Sequence, residues 1–130
     1  MRYMLDTNIC IYLMSSLSPK LDARFASLYF GDVCVSTITL GELRVGVEKS
    51  LDRKLDEKIL TALLRDLVVL PFDAAAALAY GVLRAAVPSR QVNAMDRLIA
   101  AHAISLQAVL VTNNEKDFTA YPGLVVENWA

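Results

Sequence analysis

The chain has 130 residues, 55% of them hydrophobic, with 13 Lys and Arg against 14 Asp and Glu and a formal net charge of -1. That length suits one domain, residues 1–130, with a substantial core, and the balanced charge argues against a protein that coats nucleic acid through a global basic field. No apolar run reaches the length of a membrane span, polar Asp6, Thr7 and Asn8 interrupt any leader pattern, and Cys10 and Cys34 lack metal-binding spacing, so a cytoplasmic protein with two buried thiols is expected.

Residues 2–5 read as a short strand that ends in Asp6, Thr7 and Asn8. Residues 8–15 read as a short helix. Pro19 opens a second helix over 20–30, with Leu21, Phe25, Leu28 and Tyr29 at helical spacing, and Gly31 and Asp32 end it. "VCVS" (33–36) is a compact strand. A helix follows with Ser36 or Thr37 as N-cap. Segment 53–67 puts Leu55, Ile59, Leu60, Leu63, Leu64 and Leu67 on one stripe. "VVLP" (68–71) is a buried strand. Asp73 caps an Ala-rich helix that Pro88 stops. Residues 94–106 form a further helix, 108–112 a strand, "NNEKDF" a turn and 123–128 a last strand. Short, unalternating strands separated by helices predict an α/β fold with a parallel sheet covered on both faces. In such sheets, ligands sit beyond the carboxyl ends of the strands. Asp6 lies just past the first strand in this way, and Thr112, Asn113 and Asn114 just past the fourth.

Three carboxylates do not fit a core. Asp6 either caps the next helix or holds a ligand at a rigid strand end. Glu42 shares a helical face with Ile38, Val45 and Gly46; from this helix alone, a rim residue and a ligand are equal readings. Asp96 sits in the first turn of an apolar helix, where the helix dipole alone explains it. It shares a face with Ile99, Ala100 and Ala103. Together the three fall on one edge of a parallel sheet, above the strand ends. Convergent carboxylates repel each other unless a cation neutralises them. Oxygen-only donors favour Mg²⁺ or Mn²⁺, and such a site suits phosphodiester hydrolysis.

The segments "MLDTNICIYL", "STITLGELRVGVEKS", "MDRLIAAHA" and "LVTNNEKDF" occur in that order over nearly the whole chain. In this the chain resembles a PIN-domain ribonuclease, and within that family a VapC toxin of a bacterial type II toxin–antitoxin pair. The resemblance implies a three-layer α/β/α fold with a mainly parallel central sheet. It implies a Mg²⁺-dependent endoribonuclease whose metal ligands map onto Asp6, Glu42 and Asp96, leaving 5′-phosphate and 3′-hydroxyl ends. The family's fourth acidic position falls in the "TNN" turn, where Asn114 keeps an oxygen but carries no charge; Asp117, in "KDF", is the alternative. Thr7, Asn8 and Thr112 would orient the carboxylates and water, or cap helices, or both. Asn93 stands where related sequences often carry Gly three residues before the Asp, a departure that bears on the local turn and not on the ligand. A homodimer and a cognate VapB antitoxin inserting a segment at the active groove are also implied. The subgroup it looks most like cleaves the anticodon stem-loop of initiator tRNA; other members cut other tRNAs or ribosomal RNA, and no residue here decides between them.

His102, the sole histidine, lies well around the helix from Asp96 and reads as structural or surface, not as a general base. Arg84, Arg90, Arg97 and Lys116 offer charge for RNA phosphates, or are simply solvated. The rival readings are a phosphatase or DNA nuclease with the same acids, and a PIN module that binds RNA or a partner without cleavage, which the missing fourth acid supports.

Overall fold

The computed structural model describes residues 2–87 and 94–130. Pro88, Arg90 and Asn93, which entered the reading above, lie outside the described residues. Five strands form one sheet: β1 (Tyr3–Leu5), β2 (Val33–Ser36), β3 (Val68–Leu70), β4 (Val109–Val111) and β5 (Val125–Glu127), in the order β3-β2-β1-β4-β5. All four pairings are parallel. The helices are α1 (Thr7–Ser15), α2 (Pro19–Ala26), α3 (Thr37–Glu48), α4 (Arg53–Leu64), α5 (Ala74–Ala86) and α6 (Ala94–Leu106).

Register explains the layers. Met4 pairs with Cys34 and Leu110, and all three point to one face. Leu83 of α5 and Ile99, Ala100 and Ala103 of α6 cover that face. Leu5, Val33, Val35 and Val111 point the other way, onto Ile9, Leu21, Leu43, Val47 and Leu60 of α1 to α4. A sheet buried on both faces needs no alternation of polar residues, which is why the strands read as plain apolar runs. Losing one such side chain, Leu60→Ala for instance, costs about 2–5 kcal/mol.

Helix starts are local chemistry. Asp6, Ser18, Ser36, Asp52 and Asp73 each accept a backbone N–H from the first turn of their helix, a contribution of about 1 kcal/mol apiece. Three expectations change. α2 stops at Ala26, where Ser27 Oγ donates to the Arg24 carbonyl and Asp32 accepts the Tyr29 N–H, so Tyr29 faces solvent and leaves the apolar stripe. α4 ends at Leu64, and its stripe buries Leu60 and Leu63 but leaves Leu55 exposed. The buried stripe of α3 runs through Thr39, Leu43 and Val47, so Val45 points outward and Glu42 sits at the stripe's margin. Among the described residues no helix is long and apolar enough to cross a membrane.

Candidate active site

The strand order creates the site. From β1 the chain moves outward to β2 and β3, then returns across β1 to β4 on the other side. The crevice beyond the carboxyl ends of β1 and β4 is therefore the topological switch point. Asp6 follows β1 directly and Thr112 follows β4. The Asp6 N–H donates to the Val111 carbonyl at 3.1 Å, and the Thr112 N–H to the Glu127 carbonyl at 3.0 Å, so both positions hang from the sheet.

Asp6 is buried, and the capping reading describes its geometry. Its Oδ1 accepts the Ile9 N–H at 2.9 Å as the N-cap of α1, and its carboxylate also accepts from the Thr112 hydroxyl. The fully buried Thr112 Oγ1 in turn accepts the Asn114 N–H at 3.0 Å. Burial nonetheless raises the Asp6 pKa above the usual carboxylate range, with the charge of Glu42 adding to that, while the two hydrogen bonds oppose it.

Glu42, half-buried on α3, accepts a 2.5 Å hydrogen bond from Thr7 Oγ1. Thr7, the first residue of α1, thus ties the helix after β1 to the helix that carries Glu42. Asn8 is exposed and makes no side-chain hydrogen bond among the described residues. Asp96 lies in the first turn of α6. Its pKa is pushed up to about 6, first by burial and then by the charges of Asp6, Asp117 and Glu42.

At the fourth position the structure pairs the two candidates. Asn114 is exposed and its amide donates to the Asp117 carboxylate, across the short 3-10 turn Glu115–Asp117. The group whose charge reaches Asp96 is Asp117, with Asn114 as its brace. Asp6, Glu42 and Asp117, from three other chain segments, therefore all lie within electrostatic reach of Asp96.

That donor set fits a hard divalent cation. All candidate donors are oxygens, and Asp6 and Asp96 are raised first by burial and further by neighbouring carboxylate charge, a cost that a bound cation would offset. Among the described residues no group of three or more Asp, Glu, His or Cys side chains is already placed to hold a metal ion, so binding one would draw the carboxylates together. An open carboxylate edge suits Mg²⁺, which keeps several waters and takes few protein ligands.

The sequence reading missed neighbours that the sheet edge brings in. Tyr121, after the turn, lies within electrostatic reach of Asp96, Asp117 and Arg97 and packs edge-on against Phe118. Tyr12 of α1 accepts a 2.8 Å hydrogen bond from Asn113 Nδ2, joining α1 to the segment after β4. The position of Asn113 just past a strand end was the available signal. Arg97, read as a phosphate contact or a solvated charge, is buried, and Arg84 Nη1 donates to the Tyr80 hydroxyl at 2.6 Å. Lys116 is exposed in the turn.

The PIN domain family matches residues 3–124. The chain is 38% identical over 132 residues to the tRNA(fMet)-specific endonuclease VapC of Shigella flexneri, across 100% of this chain and 99% of that relative. It is 37% identical over 135 residues to Ribonuclease VapC2 of Rickettsia felis, across 99% and 98% of the two. Among solved structures, it superposes on a chain of VapBC2 from Rickettsia felis bound to a promoter DNA fragment with a TM-score of 0.92 at 36% identity, over 100% of both chains. DNA-bound VapBC from Salmonella typhimurium gives a TM-score of 0.91 at 37% identity, over 100% of this chain and 99% of that one.

Proposed function

The chain belongs to the PIN-domain family, and on that premise we propose that it is the toxin of a VapBC pair, a Mg²⁺-dependent endoribonuclease that cuts initiator tRNA in the anticodon stem-loop. The observation that carries this is the convergence of Asp6, Glu42, Asp96 and Asp117, from four chain segments, on the β1/β4 edge. The substrate rests on the likeness to the Shigella flexneri relative named for tRNA(fMet).

In this reading Asp6, Glu42, Asp96 and Asp117 hold the ion, Mg²⁺ or Mn²⁺, and Asn114 orients Asp117. When bound, the ion supplies a Lewis acid that lowers the pKa of water and offsets charge on the phosphate. The chain's own groups do the rest. The Ile9 N–H and the Thr112 hydroxyl fix the Asp6 carboxylate in one orientation. The Thr7 hydroxyl gives Glu42 a single such contact. Asp96 accepts no hydrogen bond among the described residues, so its carboxylate is free to turn toward the ion or to take a proton. No imidazole serves as general base, because the sole histidine is buried away from the acids.

The partners follow from the surface beside the site. A groove of about 300 Å³ lined by Ile11, Met14, Leu43, Val47 and Ile59 runs up to Glu42. It supports docking of an apolar segment of a VapB-type antitoxin, with a basic side chain meeting the acids. Exposed Leu78 and Val82 on α5 support a homodimer contact. Against the non-cleaving alternative, Asp117 offers a fourth carboxylate whose charge reaches Asp96.

The test uses purified, antitoxin-free protein on initiator and elongator tRNAs with Mg²⁺ or EDTA, beside Asp6→Ala. The expected result is a discrete anticodon-loop cut in initiator tRNA that needs both the metal and Asp6. Equal inactivity of wild type and Asp6→Ala on tRNA and ribosomal RNA, with RNA binding retained, would overturn it.

A further inference from the structure

His102 is buried on α6, and the acids do not use it. Its Nδ1 shares a 2.8 Å hydrogen bond with Oγ of Ser36, which is itself fully buried. Ser36 ends β2 and caps α3, its Oγ also accepting the Ile38 N–H at 3.1 Å. Phe72 meets the imidazole edge-on at 5.5 Å, and the Phe72 N–H donates to Thr37 Oγ1 at 3.1 Å, so the wall beside the ring is also tied to the start of α3. Asp73, the cap of α5, is the charge that acts on the ring, and burial keeps the imidazole neutral.

We propose that the His102–Ser36 hydrogen bond is a positioning strut, fixing α6, which carries Asp96, against the start of α3, which carries Glu42, and so setting the spacing at which the carboxylates accept a divalent ion. The inference rests on the metal-site reading above. Its physical basis is the seam in which the bond lies. α6 faces the sheet through Ile99, Ala100 and Ala103, and short alanine side chains let a helix slide or roll with little penalty. Burying two polar groups is costly, and the bond between them offsets that cost, with the Ile38 N–H as the second partner of Ser36 Oγ. An apolar side chain would fill the same volume as well or better. What the polar pair adds is a single permitted position, since a buried hydrogen bond fails when its atoms part.

The strut also has leverage. Glu42 lies six residues along α3 from Ser36, and Asp96 six residues along α6 from His102. Each arm spans roughly 9 Å of helix. A small roll at the strut is carried to both carboxylates, while metal–oxygen distances tolerate only about 0.2 Å.

The test is Mn²⁺ binding by calorimetry on the full chain, with melting temperature recorded alongside. His102→Leu fills the space without the bond. His102→Asn places an amide where Nδ1 stands, and His102→Gln places it where Nε2 stands, out of reach of Ser36. The expected result is a cooperative fold in all three, with Mn²⁺ affinity roughly tenfold weaker in His102→Leu and His102→Gln, the scale for loss of a group that orients a ligand, and largely restored in His102→Asn. Adding Ser36→Ala to His102→Leu should cost less than the two separate losses summed. Wild-type affinity in His102→Leu, or no advantage of Asn over Gln, would overturn the strut. The Asn and Gln variants have similar polarity, so their comparison decides the matter even if His102→Leu fails to fold. Absent Mn²⁺ binding in wild type, or equal binding in Asp6→Ala, would instead overturn the metal-site reading and the strut with it.

Discussion

The two halves of the acidic edge are built differently. The strand-borne half is braced: Asp6 hangs from β1, accepts from Ile9 and Thr112, and Thr112 is held in turn by Asn114. The helix-borne half is looser. Glu42 has one partner, Thr7, and Asp96 has none among the described residues, though its pKa is pushed up to about 6 by burial and the neighbouring charges. Both halves bring like charge to one place, but only the first satisfies it with fixed donors. In the proposed function, an edge assembled this way supplies one preorganised anchor and a second wall that a bound cation would complete.

The largest test of this contrast removes one acid from each half. Asp6→Asn and Asp96→Asn should each lower RNA cleavage on the order of 10²–10³-fold, the range for loss of a preorganised electrostatic group. Removing the capping oxygen as well, by Asp6→Ala, should also disturb the start of α1, seen as a lower melting temperature that Asp96→Ala does not show. Equal effects on stability would erase the distinction.

Next is the brace itself. Thr112→Val keeps the shape and removes the hydroxyl, and Mn²⁺ affinity should fall about 10–100-fold. Thr112→Ser should recover most of it. Thr7→Val tests the single support of Glu42, and a smaller loss is expected because Glu42 is half-exposed and free to reorient.

A pH series sharpens the looser half. Asp96 binds its proton more tightly folded than unfolded, so its contribution to stability is full below about pH 4 and is lost as pH rises through about 6. Metal-free protein should therefore melt lower at pH 7 than at pH 5. A pKa unit corresponds to about 1.4 kcal/mol, and solvent screening at this partly exposed group reduces the net to about 1 kcal/mol. That is roughly 3 °C in melting temperature. Asp96→Asn should remove this part of the slope, and Mg²⁺ should reverse its sign in wild type. The smallest expected effect is that of Asn114→Asp: slightly tighter Mn²⁺ binding, with lower stability in EDTA from the added repulsion.

The edge was legible in the sequence because each acid interrupts an apolar pattern at a place where the fold rule predicts a ligand. Asp6 follows a strand, and Asp96 opens a buried helix. The helix starts were legible for the same local reason, since Ser36 and Asp73 carry their capping oxygens with them. What was not legible depends on long-range geometry. Helical spacing gives a face but not which way it turns, so Tyr29, Leu55 and Val45 joined stripes that the structure turns toward solvent. The hydrogen bond between Asn114 and Asp117 needed the turn that folds one onto the other. The pairing of His102 with Ser36 spans 66 residues and has no periodic signature.

The most direct measurement is a carboxyl-carbon NMR titration of Asp96, without metal and with saturating Mg²⁺. The account predicts a midpoint near pH 6 without metal, moving below the ordinary aspartate value when Mg²⁺ is bound. A midpoint at the ordinary value in both conditions would mean that the acids neither press on Asp96 nor share an ion with it, and the proposed site would fall.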